Sequence, residues 1–263
     1  MNNFENKNIL ITGGSSGIGK ALIAEFHKNG ANTFAVVGRN VDKMKKLQSE
    51  FPDVKFSFIQ ADVSKLADIK EIINSVKKEW KQIDILINNA GVVSAGALEE
   101  TSDEDIIAQQ NINTTGLILL TKYALPLLKK SEDSAIINIS SGLGLIGMPF
   151  YATYAATKAA VKQFSEALRR ELKDFPIHVM TVYPTATDTP MMESASSKNM
   201  DTPKMVAEDT VKGLKNTEID VIMGGKERKE NNIENFENPL EFDKKVSSMF
   251  DSMKERASKH RSM

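Results

Sequence analysis

Short apolar and β-branched runs alternate along the chain with longer stretches in which apolar residues return every three or four positions. The runs are "NILIT" (8–12), "TFAVVG" (33–38), "VKFSFIQ" (54–60), "DILIN" (84–88), "AIINIS" (135–140), "HVMTVY" (178–183) and "IDVIM" (219–223). Between them, helical periodicity covers 17–29, 40–50, 64–80, 102–130, 152–174 and 203–215. Strand and helix alternate throughout, which predicts an α/β domain built on a doubly wound parallel sheet of about seven strands. Right-handed crossovers would place helices on both faces, giving three α/β/α layers.

Two segments break the rhythm. Residues 186–204, "ATDTPMMESASSKNMDTPK", form a connection long enough to act as a substrate loop. From Lys226 to Met263 the chain is charged, and within 240–258 Phe242, Val246, Met249, Phe250 and Met253 share one helical face. We therefore expect a single domain over 1–225 and an extension over 226–263. The amphipathic helix of that extension either packs on its own domain or serves a subunit or partner surface. Ser102 and Asp105 suit the start of the long 102–130 helix, and Pro126 predicts a kink or pause late in it.

Composition narrows the chemistry. A length of 263 residues supports one full core, and a net charge of −1 with interleaved signs offers no stripe for nucleic acid. No cysteine is present and the three histidines lack ligand spacing, so a metal site is not expected. The polar start "MNNFENKN" and the absence of a long apolar span lead us to expect a soluble, cytoplasmic protein without a membrane partner.

"TGGSSGIG" (12–19) follows the first strand and opens the first helix, where glycines have mechanical reasons to occur. Gly13 permits a tight turn, Gly17 lets backbone approach a pyrophosphate, and Gly19 lets the helix sit close on the strand. Ser15, Ser16 and Ile18 complete a loop whose amides face the phosphates of a dinucleotide. At the end of the second strand an acid would select NAD and a base the extra phosphate of NADP. "VVGRN" puts Gly38 in the acid's place, followed by Arg39 and Asn40, which favours NADP(H) and leaves NAD(H) possible. A merely solvated Arg39 is the competing reading.

Tyr154 and Lys158 lie four residues apart on a helix, so one turn, roughly 6 Å, separates them, whereas Tyr151 is about 10 Å from the lysine. A cation at that range would lower the phenol by about two pKa units. Only Tyr154 is placed for acid–base work, and Tyr151 is expected to line the substrate side or pack at the helix entrance.

Thr12-Gly13-x3-Gly17-Ile18-Gly19, "NNAG" (88–91) and Tyr154-x3-Lys158, in that order, resemble the short-chain dehydrogenase/reductase family in its single-domain, Rossmann-type form. The likeness runs over about residues 7–223. It implies that Asp62 and Val63 border the adenine and that the "NNAG" turn, with Asn88, Asn89, Ala90 and Gly91, lines the cofactor. It implies a catalytic set of Asn113, Ser141, Tyr154 and Lys158, with Asn111 the minority alternative to Asn113. Ser140, adjacent on the strand, should face away from Ser141.

In the family's mechanism the tyrosine protonates the substrate oxygen, Ser141 orients that oxygen, Lys158 lowers the Tyr154 pKa and binds the nicotinamide ribose, and Asn113 holds a relay water. After the sixth strand, "YPTATDTP" offers Pro184, Thr185 in place of the family's glycine, Thr187, and Thr189 near the nicotinamide carboxamide. Thr185 restricts the backbone there, so the loop is expected to run differently. Met191, Met192, Met200 and Met205 could form an adaptable substrate wall or be ordinary core and loop methionines.

The leading expectation is an NADP(H)-dependent reductase or dehydrogenase for a small carbonyl or secondary alcohol substrate. An NAD-linked alcohol dehydrogenase is one alternative, and a non-catalytic dinucleotide sensor whose terminal helix recruits a partner is another. The resemblance also implies a homodimer or homotetramer formed through the helices at 102–130 and 152–174.

Overall fold

The computed structural model describes residues 1, 3–195 and 200–263; positions 196–199 of the expected substrate loop lie outside the described residues. Seven parallel strands form one sheet in the order β3-β2-β1-β4-β5-β6-β7. They are β1 (Asn8–Thr12), β2 (Thr33–Gly38), β3 (Lys55–Gln60), β4 (Ile85–Asn88), β5 (Ser134–Ile139), β6 (Ile177–Tyr183) and β7 (Asp220–Ile222). Register follows the runs read from sequence: Leu10 stands beside Ala35 on one side and Leu86 on the other. The order reverses direction between β1 and β4, the switch point at which such sheets open a crevice.

Ten α-helices accompany the strands among the described residues: α1 (Gly17–Lys28), α2 (Val41–Glu50), α3 (Leu66–Glu79), α4 (Asp103–Gln110), α5 (Leu117–Leu128), α6 (Ala152–Glu171), α7 (Pro203–Lys215), α8 (Gly225–Glu237), α9 (Pro239–Ser247) and α10 (Phe250–Ala257). Because successive strand side chains point to opposite faces, two cores form. One joins Ile9, Ile11, Phe34 and Val36 with Leu22 and Phe26 of α1, Met44 of α2 and Val206 and Leu214 of α7. The other joins Leu10, Ala35, Leu86 and Ile136 with Ile69 and Ile73 of α3, Leu120 and Leu127 of α5 and Leu168 of α6.

Two helices differ from the pattern read in the sequence. The stretch 102–130 is interrupted not at Pro126, which sits inside α5, but by a π-helical turn over Asn111–Gly116. Pro126 is tolerated because α5 ends two residues later, so little helix is left for it to bend. Ser102 does cap α4, its hydroxyl accepting from the Asp105 amide at 3.2 Å. The second difference is the terminal helix, which is broken between Ser247 and Phe250. An unbroken helix over 240–258 would run about 28 Å in a straight line. The break lets Phe242 and Val246 pack on Ile146 while Met253 and Ala257 turn towards Tyr151 and Tyr154. The extension thus packs on its own domain.

Candidate active site

At the C-terminal ends of the strands lies one cavity of about 890 Å³. Every predicted cofactor residue except Gly19 and Asn88 lines it, as do Ser141, Tyr154 and Lys158. Gly13 adopts φ +67°, where a side chain would be strained. Gly19 lies beneath the loop, where a Cβ would overlap the Gly13 carbonyl oxygen and stand 2.7 Å from Asn89 Nδ2. Helix and strand can therefore close up only with glycine there, and this contact sets where the first amides of α1 point.

Asn89 holds the loop from below, its Nδ2 donating to the carbonyls of Thr12 at 3.0 Å and Gly13 at 3.1 Å. Asn88 is turned away, contrary to the resemblance: its Nδ2 donates to Thr121 Oγ1 and Asn138 Oδ1, inside the core. Strand alternation explains this, since adjacent residues at the end of β4 face opposite sides.

Asp62 accepts from the amide and hydroxyl of Ser64 at 2.9 and 2.7 Å. Burial pushes its carboxyl up, but these hydrogen bonds and the charges of Arg39 and Lys65 outweigh it, leaving the pKa below its ordinary value. Arg39 is exposed on the cavity rim, and Asn40 caps α2 by accepting from the Lys43 amide at 2.9 Å. Lys43 lines the same end of the cavity. Sequence reading missed it, although its spacing of one helical turn from Asn40 was a usable signal.

The catalytic candidates come together on β5, the π turn and α6. The Lys158 ammonium sits 5.7 Å from the Tyr154 ring centroid and donates to the Ile139 carbonyl at 2.9 Å. Ser140 donates to the Lys158 carbonyl at 2.8 Å and is structural. The Ser141 hydroxyl faces the Tyr154 phenol and accepts from the Leu143 amide at 3.2 Å. Both sides of the Asn113 carboxamide are occupied: Oδ1 accepts from the Val92 amide at 2.8 Å, and Nδ2 donates to the Val92 carbonyl at 2.8 Å and to Thr157 Oγ1 at 3.1 Å. A relay water therefore has only the second lone pair of Oδ1 or the Asn113 main-chain carbonyl, in the π turn, to bind.

The expected lowering of the Tyr154 pKa is reversed in the chain itself. Burial pushes the phenol up to about 12 against the opposing pull of Ser141, with Tyr151 adding a smaller push, and burial draws Lys158 down to about 8. The one-turn spacing is present, but both groups have left water, and desolvation is the largest cause of both shifts. Tyr154 is consequently held protonated near neutral pH, as a proton donor must be.

A stability consequence follows for Lys158. Between about 8 and its ordinary value of 10.5 the unfolded chain holds more protons than the folded one, so stability rises with pH across that window. Below it, burying the ammonium costs up to about 3 kcal/mol, offset by about 1 kcal/mol for its hydrogen bond. Lys158→Met is expected to be more stable than the parent near neutral pH by about 1–2 kcal/mol, with the gap narrowing towards pH ~10. Urea unfolding at both pH values measures this.

On the substrate side, Thr185 hydrogen-bonds the Asp201 carboxylate, and Thr187 and Asp201 form a bridge. The loop expected to run differently is thus tied to the start of α7. Thr189 lies against Gly17 and donates to the Thr187 carbonyl at 3.2 Å. Met191 and Met192 line the cavity, whereas Met205 is exposed on α7 and Met200 does not reach it.

The remaining wall comes from the C-terminal segment and was not anticipated. Met253, Arg256, His260 and Ser262 all face the cavity. The tail is stitched in place: Ala95 N donates to His260 O at 3.0 Å and Ser262 N to Val93 O at 2.9 Å. Arg261 grips Asp105 with both arms, at 2.7 and 2.8 Å, and this pairing holds the Asp105 carboxyl below its ordinary pKa. His260 is buried between the Tyr151 hydroxyl, 2.9 Å from Nδ1, and the Met191 carbonyl, 3.1 Å from Nε2. A carbonyl only accepts, so Nε2 carries the proton and Nδ1 accepts from Tyr151. Burial lowers the His260 pKa, in keeping with this neutral form.

The sequence model of the family described as short chain dehydrogenase matches residues 7–200. This chain belongs to that family. Membership makes it an oxidoreductase, and its seven-stranded sheet is the family's fold. A 3-oxoacyl-[acyl-carrier-protein] reductase of Thermotoga maritima is 34% identical over 200 residues, covering 75% of this chain and 81% of the relative. A short-chain dehydrogenase from Sphingobium yanoikuyae, solved in complex with NADPH, superposes with a TM-score of 0.79 at 28% identity, covering 90% of this chain and 96% of that one. The 3-ketoacyl-(acyl-carrier-protein) reductase of Brucella melitensis, complexed with NADH, gives 0.76 at 26% identity over 84% and 99%. Among the described residues no helix is long and apolar enough to cross a membrane, and no group of three or more His, Cys, Asp or Glu could hold a metal ion.

Proposed function

We propose that this protein is an NADP(H)-dependent oxidoreductase that interconverts a carbonyl and a secondary alcohol, with Tyr154 as its general acid and base. The observation that carries the reading is the convergence of the protonated Tyr154, the Ser141 hydroxyl and the Lys158 ammonium in the same cavity as the glycine loop. Structural relatives with NADPH and with NADH bound support a nicotinamide dinucleotide. The residues present fit one: the loop is too tight for side chains at Gly13 and Gly19, and the α1 amides open on to the cleft.

Bound there, the nicotinamide supplies or accepts the hydride. The chain's residues do the rest. Ser141 donates to the substrate oxygen and fixes it beside the phenol. Tyr154 gives that oxygen its proton as the carbon gains hydride, so that carbonyl becomes alcohol. Lys158, anchored on Ile139, offers its remaining protons to the ribose and to the phenol oxygen left behind. Asn113 fixes Val92 and with it the floor of the cleft. We further infer a cytoplasmic homo-oligomer, as the family resemblance implies.

Arg39 and Lys43 on one rim, with the capped start of α2 between them, support the preference for a phosphorylated ribose. Arg39→Ala is expected to raise KM for NADPH by about 10- to 100-fold with little change for NADH, since the lost contact is charge-assisted. Initial rates over a panel of carbonyls with each cofactor test both parts. Oxidation of NADH and NADPH at equal efficiency, unchanged in Arg39→Ala, would remove the preference, and no oxidation of either would remove the activity.

A further inference from the structure

The substrate wall has an unusual charge. Arg228 on α8 and Arg256 on α10 both face the cavity, and among the described residues neither guanidinium has a carboxylate within 4.0 Å. Other arginines that meet an acid do so closely, as Arg261 does with Asp105 at 2.7 Å and Arg170 with Glu166 at 2.5 Å. Arg228 lies directly over Gly142, the residue after Ser141, so close that a Cβ there would collide with its guanidinium. Its nearest acids, Asp201 and Glu227, are felt electrostatically without pairing, and Asp201 is already engaged by Thr185. Arg256 stands 5.8 Å from the Tyr151 ring centroid, and its Nε is buried with no hydrogen-bond partner among the described residues.

Partly buried guanidinium groups without counter-charge are costly, and proteins keep them where a ligand supplies the missing anion. The two come from different helices of the same terminal segment, Arg228 beside Gly142 and Arg256 beside Tyr151, and the cavity they line carries apolar Ile146, Met148, Phe242 and Met253 together with polar Glu227, Asn231 and Ser248. Lys245 lines the same region but is already paired with Glu234 at 3.3 Å and Asn231 at 2.7 Å.

We propose that the substrate is an anionic carbonyl compound, whose carboxylate or phosphate group is bound by Arg228 and Arg256 while its carbonyl meets Ser141 and Tyr154. This rests on the oxidoreductase reading above and names its substrate class. Arg228 and Arg256 are binding residues here, with no part in proton transfer, so they act on KM and leave kcat largely alone.

The test uses matched pairs: keto acids against their methyl esters, and phosphorylated ketones against the free hydroxyketones, on the full chain with saturating NADPH. Wild type is expected to prefer one anionic member of a pair by at least about 10-fold in kcat/KM. Arg228→Met and Arg256→Met are each expected to raise KM for that member about 10- to 100-fold, to change kcat little, and to leave the neutral partner unaffected. The carboxylate and phosphate arms say which anion is used. Calorimetric titration of the NADPH-loaded protein with the same acids provides a readout independent of turnover. Anion binding lost in both variants without any carbonyl reduction would support the anion site and sink the carbonyl–alcohol reading. Reduction of esters and acids at equal efficiency, or an acid preference unchanged in Arg228→Met and Arg256→Met, overturns the proposal and leaves that reading standing.

Discussion

Tyr154→Phe is expected to lower kcat by about 10³-fold while leaving the fold and NADPH affinity close to wild type, because a positioned general acid contributes about 10²–10⁴ to such a step. The ring is buried and packs with Val93, Tyr151 and Ala257, and phenylalanine retains that packing, so only the hydroxyl is lost. Ser141 remains to polarise the carbonyl, and the residual rate measures its share. In the parent, the phenol's high pKa and the lysine's low one also predict a pH profile. With Tyr154 pushed to about 12 and Lys158 drawn to about 8 in the chain itself, the proton donor for NADPH-dependent reduction is retained throughout the neutral range, and loss of activity on the alkaline side begins with the lysine near 8. Single-turnover rates across pH, with NADPH binding measured in parallel, check both. A Tyr154→Phe protein with near-normal turnover would assign the proton to another donor.

Gly19→Ala is expected to have the second largest effect. A single methyl at this position would run into the Gly13 carbonyl oxygen and approach Asn89 Nδ2 to 2.7 Å, and backbone cannot rotate aside as a side chain does. Relief requires α1 to move outward by about 1 Å, a displacement that costs about 10²-fold wherever groups must meet a ligand in fixed geometry. We expect the Kd for NADPH to rise by about that factor and stability to fall by about 1–3 kcal/mol, the usual range for overpacking. Calorimetric binding and urea unfolding separate the two. Wild-type affinity in a folded Gly19→Ala protein would show that the α1 amides do not set the phosphate position.

Much of this architecture is written in short-range pattern. Runs such as "NILIT" and "DILIN" are apolar through their centres, Ile9–Ile11 and Ile85–Ile87, so parallel strands buried on both sides were legible directly. The cofactor loop was legible because glycine spacing and strand–helix context constrain one another. The Tyr154–Lys158 pairing was legible because four residues make one turn. What escaped is what depends on contacts between distant segments. The π turn at Asn111–Gly116 is fixed by Asn113 reaching Val92, 21 residues away in sequence, and no local periodicity announces it. Pro126 carried the stronger local signal and proved the wrong place to look.

The pKa order of Tyr154 and Lys158 escaped for a similar reason: spacing gives their separation but not the burial that outweighs it. The terminal segment showed its apolar face, through Phe242, Val246 and Met253, but not what that face would cover. Its polar members, Arg256 and His260, fall three and seven residues after Met253 and so continue that face, but a search for apolar residues alone passes over them.

The family match ends at residue 200, while α8, α9, α10 and the tail that pins His260 between Tyr151 and Met191 all come after it. The reactant side of the cavity is therefore closed by residues that lie beyond the matched stretch. In the reading proposed above that segment is a mould for the reactant, clasped to the domain by Arg261 on Asp105 and by a few backbone contacts. Ala257 packs against Tyr154 and ties the mould to the phenol, whereas cavity-facing positions such as Arg256 are where substitution would re-aim the protein at a different molecule.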